Sequence, residues 1–191
     1  MTDGGLGGSL ITLARNAIGA RFGHAAAVVP RDPVLDQPGA TFVTLVQDRE
    51  LRGCVGSLEA RRALGADVSE NAVAAAFRDP RFLPLAAHEF QLTSVEVSLL
   101  SPQEPLIVTG QDDLLRRLRA NIDGLVLQYE HHRATFLPQV WETLPEPREF
   151  VGALKKKAGL REDFWSSEIV VARYTVTKWK ERELAAEVER R

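Results

Sequence analysis

The chemically unusual stretch of this chain is Leu51-Arg52-Gly53-Cys54-Val55-Gly56-Ser57. Read as a strand, it puts Arg52, Cys54 and Gly56 on one face and Leu51, Gly53 and Val55 on the other, because side chains alternate. An arginine two residues from a thiol can lie beside it and favour the thiolate, the form that acts as a nucleophile. Glycines weaken a strand unless a bulge or a close approach needs them. Gly53 and Gly56, followed by Ser57, therefore suggest room for a ligand against the strand, with Arg52 as its polar grip. A nucleophilic Cys54 also needs a base, and no histidine is placed by sequence to serve it. Free cysteines are more often small buried hydrophobes, and that is the commoner reading here.

Other residues extend the set of candidates. Arg78, Asp79 and Arg81 surround a helix stop, where a cap with a surface ion pair is the ordinary expectation and an anion-binding corner beside the Cys54 strand the functional one. Glu96 and Ser98 lie on the strand face opposite Val95, Val97 and Leu99, although a lone carboxylate is a weak general-base signal. Arg133 and Thr135 also share a face, and two arginines such as Arg52 and Arg133 could grip a carboxylate or phosphate. Lys157 sits in a last helical turn, where the helix dipole favours a cation in any case. His131 and His132 are neighbours in a strand and should point apart, at a hairpin tip where solvated turn residues are expected. His24 and His88 add no ligand spacing. The expectation is no metal and no cofactor.

These residues need elements to position them. Ser9 can cap a helix with Leu10, Leu13, Ala14, Ala17, Ile18 and Phe22 in the i, i+3, i+4 pattern, stopped by Gly23. His24 to Ala40, with Pro30, Pro33 and Pro38, reads as a crossing loop. Thr41–Gln47 and Leu51–Leu58 read as a hairpin about Asp48-Arg49-Glu50. A helix from about Ala63 to Phe77 ends before Pro80. Gln91–Ser101 reads as a strand, Asp112–Ala120 as a short helix and Asp123-Gly124 as a turn. The opening pattern then returns: Leu125–Tyr129 and Arg133–Leu137 form a second hairpin, and a helix runs from about Pro147 to Ala158. Ile169–Lys178 reads as a last strand and Glu181–Arg191 as a frayed exterior helix. Sliding the first hairpin onto the second places Gln47 on Gln128 and Arg52 on Arg133, which suggests an internal duplication. Hairpins each followed by a helix argue for an α+β fold over a doubly wound parallel sheet.

Composition bounds the function classes. A chain of 191 residues fits one domain, 45% hydrophobic and 26% charged, which is ordinary for a globular protein. With Lys plus Arg at 24 against 26 Asp plus Glu, binding of nucleic acid by bulk charge is disfavoured. Lys155-Lys156-Lys157, the compact basic run, reads as a solvated helix face. One cysteine excludes an internal disulfide and a Cys-rich zinc site. No apolar run approaches the ~18–20 residues of a membrane span, the start does not read as a signal peptide, and a cytoplasmic location is the expectation. There is no Gly-x-Gly-x-x-Gly or P-loop pattern.

The stretch Leu51-Arg52-Gly53-Cys54-Val55-Gly56-Ser57 also resembles the Leu-Arg-Gly-Cys-Ile-Gly signature of the AMMECR-one domain family, with Val55 in place of isoleucine. The resemblance continues through Asn71-Ala72-Val73-Ala74-Ala75-Ala76-Phe77-Arg78-Asp79-Pro80-Arg81-Phe82 and Glu96-Val97-Ser98-Leu99-Leu100-Ser101. It extends to Arg133-Ala134-Thr135-Phe136-Leu137-Pro138-Gln139-Val140-Trp141 and Lys157-Ala158-Gly159-Leu160, covering nearly the whole chain. In length and motif wording it is closest to the prokaryotic form called AmmeMemoRadiSam system protein A. The resemblance implies an α+β fold of two related strand-helix units around a mixed, barrel-like sheet with flanking helices. On that reading residues 1–191 form a single domain of two intertwined half-units, about 1–110 and 111–180, with a charged end at 181–191. It also implies a Memo-like protein and a radical SAM enzyme as partners, with iron-sulfur chemistry on the latter. It supplies no reaction.

Three functions remain open. The first is an accessory module that binds an anionic small molecule or peptide and works with partner proteins. The second is an enzyme whose nucleophile is Cys54, and the third a regulatory nucleic-acid-associated protein. The missing base favours the first over the second, and the near-neutral charge puts the third last.

Overall fold

The computed structural model describes the backbone of residues 3–188 and the side chains of residues 5–184. The chain divides into two units, one running up to Leu100 and resuming at Thr177, the other from Ser101 to Val176.

In the first unit, helix α1 (Asp3–Gly19) starts well before Ser9. Ser9 lies inside it and donates from its hydroxyl to the Gly5 carbonyl at 3.2 Å, so it is not the expected cap. The earlier start follows from packing: a Cβ on Gly7 would lie 2.4 Å from the Trp179 ring, so this glycine-rich turn is held against a buried tryptophan. The expected apolar stripe is buried at Leu10, Ala14 and Ile18. A 3-10 turn at Ala20–Phe22 ends at Gly23, whose φ of 77° is the left-handed value glycine tolerates.

Strand β1 (Pro38–Gln47) begins three residues earlier than its alternation suggests, because Pro38 and Gly39 pair with the two-residue strand β3 (Arg62–Ala63). A tight turn with positive φ at both Asp48 (52°) and Arg49 (69°) leads into β2 (Glu50–Gly56). Two left-handed residues give the backbone twist a two-residue hairpin requires. The ladder runs Thr44 to Cys54 and Leu45 to Gly53, then jumps to Val46 with Leu51, so Arg52 is a bulge with no strand partner. Helix α2 (Leu64–Phe77) follows as expected, then a short helix α3 (Ala87–Phe90). Strand β4 (Ser94–Leu100) begins after Thr93 has turned its N–H and hydroxyl back onto the Glu89 carbonyl.

The expected final strand, Ile169–Lys178, is two strands. β8 (Val170–Tyr174) belongs to the second unit and β9 (Val176–Lys180) to the sheet of the first. Thr175 between them exchanges hydrogen bonds with Ser101, donating its N–H to the Ser101 hydroxyl and accepting the Ser101 N–H. Helix α6 (Glu181–Val188) is less exterior than its charge suggests. Glu181 accepts from Arg15 and from the Val95 N–H, and Leu184 packs on the core; residues 189–191 lie outside the described residues.

The second unit contains β5 (Glu104–Leu106), α4 (Gln111–Arg117), β6 (Gly124–Tyr129), β7 (His132–Phe136), α5 (Pro147–Lys157) and β8. The turn expected at Asp123-Gly124 falls earlier, at Asn121 with φ 63°. Asp123 is instead fully buried: its carboxylate accepts from Arg119, and its carbonyl accepts the Trp141 indole N–H at 2.7 Å.

The α+β class holds, but the barrel does not. Two open sheets occur, ordered β2-β1-β4-β9 and β5-β8-β6-β7, with β3 also on β1. Every pair with an assigned register is antiparallel. Strand β2 ends its sheet, and its outward-facing groups at Cys54 are taken by side chains rather than by another strand. The two units share one order, helix, hairpin, helix, then a strand beside the first hairpin strand. Counted from their turns, the two ladders make Leu51, not Arg52, the counterpart of Arg133, because Leu51 pairs with Val46 as Arg133 pairs with Gln128.

Helix α2 approaches β2 so closely that a Cβ on Gly53 would lie 2.2 Å from the Ala75 carbonyl oxygen. Backbone cannot swing aside, so Gly53→Ala should lower unfolding free energy by ~2 kcal/mol or more. Gly8, inside α1 with nothing within 4 Å of the added atom, should do the opposite: Gly8→Ala should stabilise by about 0.5–1 kcal/mol. Urea titrations of the two variants check both signs.

Candidate functional site

Strand β2 lies at the edge of its sheet, next to β1 alone over Leu51–Gly56. An edge exposes unpaired N–H and C=O groups, which proteins cover with charges or loops. Here the segment after α2 does so. The Asp79 carboxylate accepts the Cys54 N–H at 2.8 Å, and the Arg81 guanidinium donates to the Cys54 carbonyl at 3.2 Å. Arg81 also grips Asp79 at 2.7 and 3.0 Å, while its own N–H reaches the same carboxylate. The Asp79 side chain is only 3% exposed against 54% for Arg81. The Arg81 hydrogen bonds, opposed by burial, hold the Asp79 carboxyl far below the usual carboxylate range. The expected helix cap with a surface ion pair is thus a clamp on the backbone of Cys54.

Arg52 is committed to a carboxylate. The bulge leaves it without a strand partner, and it forms a two-pronged pair with Glu89 at 3.0 and 3.0 Å. That pair, with the Ala86 N–H, lowers the Glu89 carboxyl from its ordinary value. The third nitrogen, Nη1, is buried without a partner. The glycines serve packing: Gly53 admits α2, and the space beside Gly56, expected to be open, holds the Phe42 ring, 2.2 Å from where a Cβ would be.

The face of the sheet away from α2 carries a polar row set by register. Cys54 pairs with Thr44 and Thr44 with Glu96. The Thr44 hydroxyl donates to the Cys54 sulfur at 3.3 Å, and Glu96 is ion-paired with Lys178 at 2.5 Å. Ser57 is engaged elsewhere: its hydroxyl donates to Asp67 at 2.8 Å. Asp67, 1% exposed, also accepts from the Thr41 N–H and hydroxyl, Asn71 and Arg62. This network ties β1 to α2, and the sequence reading missed it. Its signal was available, since Asp67 and Asn71 stand one turn apart among the apolar residues of α2.

Arg78, the residue closing α2, is exposed and lines a cavity of ≈ 340 Å³ with Arg21, Val73 and Phe77. Among the described residues neither Arg21 nor Arg78 forms an ion pair. Arg21 was not among the sequence candidates, because nothing in its spacing links it to Arg78.

Arg133, Thr135 and Lys157 belong to the second unit. Arg133 is exposed on β7 opposite Gln128. The Thr135 hydroxyl meets the Tyr174 hydroxyl at 2.9 Å, Tyr174 donates to the Phe136 carbonyl at 3.0 Å, and burial pushes the Tyr174 phenol up. Lys157 donates to the Thr135 carbonyl at 3.0 Å, covering the edge of β7. His131 and His132 do not diverge: their rings lie 4.1 Å apart, and His132 Nδ1 is 2.9 Å from the Ala158 carbonyl. Among the described residues no three His, Cys, Asp or Glu side chains converge as metal ligands, and no helix is long and apolar enough to cross a membrane.

Asp79→Asn should cost about 1.5–3 kcal/mol at neutral pH, the range for a charge-assisted hydrogen bond. The folded state holds this carboxyl below its unfolded value, so its contribution is complete above the unfolded value and lost as pH falls through the folded one. The gap between wild type and variant should therefore close progressively below about pH 4 in urea titrations. A packed Cys54 should be alkylated at least ~10-fold more slowly in folded than in unfolded protein. Cys54→Ser should remain folded, and rapid labelling of the folded chain would put thiol chemistry first.

Comparison with known proteins gives one consistent result. The family model described as AMMECR1 matches residues 11–179. A protein of Thermofilum pendens is 34% identical over 177 residues, covering 83% of this chain and 81% of its own. Protein MJ0810 of Methanocaldococcus jannaschii is 32% identical over 197 residues, covering 94% and 96%. The crystal structure of the uncharacterized protein PH0010 from Pyrococcus horikoshii is similar with a TM-score of 0.76 and 30% identity, over 92% of this chain and 91% of that one.

Proposed function

The chain belongs to the AMMECR1 family, and we propose that it is an accessory module that binds an anionic small molecule or peptide. In this reading it acts in the cytoplasm with a Memo-like protein and a radical SAM enzyme, the AmmeMemoRadiSam setting, and the iron-sulfur chemistry lies on the latter. Support for the partners is the motif wording of the sequence. The shared order of elements in the two units supports an internal duplication behind the fold.

The observation that carries the binding reading is the cavity between Arg21 and Arg78. A helix dipole alone would favour a cation at the carbonyl ends of α1 and α2. It does not explain two guanidinium groups without a carboxylate, flanking a floor of Val73 and Phe77. Arginine presents a planar fork that matches carboxylate or phosphate, and the floor suits an apolar body attached to it. A volume of ≈ 340 Å³ fits a small ligand. Arg52, by contrast, already holds Glu89, and Arg81 already holds Asp79. The grip therefore moves from the Cys54 strand to the neighbouring helix ends.

Phenyl phosphate and benzoate are suitable probes, each an anion on an apolar ring. They should perturb the amide signals of Val73, Phe77 and Arg78 in saturable fashion. Followed at the Val73 and Phe77 signals, binding by the Arg21→Ala, Arg78→Ala double variant should be at least ~10-fold weaker, about 1.4 kcal/mol, with the variant still folded. Unchanged spectra with both probes, or equal binding by the variant, would count against the reading.

A further inference from the structure

The second unit contains a larger cavity, ≈ 560 Å³, lined by Gln111, Arg148, Lys156, Arg161, Glu162 and Asp163. The preceding helical residue, Lys155, points into the protein: it is fully buried. Its ammonium donates to the Gln111 side-chain oxygen and to the Phe164 carbonyl, each at 3.0 Å. Gln111 thus joins the buried cation to the cavity wall. Both acceptors of Lys155 are neutral, an unusual state for a buried charge, since such groups are ordinarily paired. Burial accordingly pushes the lysine down from its ordinary value, opposed by Asp163 and Glu162 and reinforced by Arg148.

The cations on the wall are held in exposed pairs. Arg148 pairs with Asp112 at 3.4 Å, Arg161 with Asp163 on two prongs at 2.8 and 3.0 Å, and Lys156 with Glu162. All six side chains are more than half exposed, from 55% to 82%. Ion pairs in such solvent are weak and readily exchanged, so a ligand with two charges can take these cations from their present partners. Counting Lys155 behind the wall and Asp112 on Arg148, four basic side chains stand with three carboxylates.

We propose that this cavity is a second binding site, separate from the Arg21–Arg78 groove, for a compact dianion of the dicarboxylate or phosphomonoester class. Arg148 and Arg161 grip the anionic groups, Lys156 adds charge, and Lys155 supplies positive potential from beneath through Gln111. Phosphate ester and dicarboxylate present the same chemistry to this wall, two negative charges on oxygens spaced for guanidinium forks. The basic run that reads as a solvated face is then divided by the helix among three tasks: Lys155 under the cavity, Lys156 on its wall and Lys157 on the edge of β7.

Calorimetric titration of the full chain with inorganic phosphate and with succinate, at constant ionic strength and with chloride as control, tests the proposal. One of the two probes should bind saturably. Preference for phosphate indicates the phosphomonoester class and preference for succinate the dicarboxylate class. Arg148→Ala, Arg161→Ala, both surface changes, should weaken binding at least ~10-fold, whereas Arg21→Ala, Arg78→Ala should leave it unchanged. Binding should also take up protons as pH is raised toward the lowered lysine value, seen as a dependence of heat on buffer ionisation, and Lys155→Met should abolish that dependence. Absence of saturable binding by both probes, binding insensitive to the Arg148 and Arg161 changes, or loss of binding in the Arg21 and Arg78 variant would overturn it.

Discussion

Helix α2 lies against β2 so closely that the Ala75 carbonyl fills the space a side chain at position 53 would need. Much of the first unit depends on that approach. It sets Asp67 and Asn71 under the start of β1, where a buried carboxylate is satisfied by five donors from Thr41, Ser57, Arg62 and Asn71. It also brings the end of α2 beside the sheet edge, so that Asp79 and Arg81 meet the peptide groups of Cys54. A bulkier residue at position 53 would lift the helix and misplace both polar systems together.

The edge clamp changes what the signature stretch means physically. Arginine, thiol and two glycines in one short strand look like an active site. Each has a structural occupation instead: Arg52 on Glu89, Gly53 under α2, Gly56 under Phe42, and the backbone of Cys54 between Asp79 and Arg81. The strand needs this attention because a hairpin edge with free peptide groups invites pairing with another chain. The second unit meets the same demand with Lys157 on the Thr135 carbonyl. Charges in both units thus terminate a sheet, and the binding proposed above rests on cations that have weaker or no internal obligations.

That difference in obligation separates the basic residues more usefully than their proximity to the cysteine does. Arg52 is bound on two prongs in a largely buried pair, 15% and 19% exposed. Arg21 and Arg78 have no carboxylate among the described residues, and Arg148 and Arg161 have only exposed ones. A buried bidentate pair is costly to break, whereas an exposed pair exchanges with little loss.

Local pattern was enough to identify most elements. The 3.6-residue stripe of Leu10, Ala14 and Ile18, the alternation of β1, the proline after α2 and the repeated hairpin-helix order are all short-range signals, and the family signature is a string of adjacent residues. The start of α1, the division of the last strand at Thr175 and the clamp on the edge of β2 were not legible, because each depends on residues far apart in sequence: Gly7 with Trp179, Thr175 with Ser101, Cys54 with Asp79 and Arg81. Candidate site residues fared in the same way. Alternation alone put Arg52 beside Cys54, whereas in the fold it sits at a bulge and is spent on Glu89. Arg78 was legible as a charge at a helix end, but its partner Arg21 belongs to another helix end. The sequence by itself determined which residue types stand on which elements, since that follows from periodicity and turn chemistry. Which charge is spent on which partner was decided only by tertiary packing, because an ion pair is chosen by distance in space and by burial.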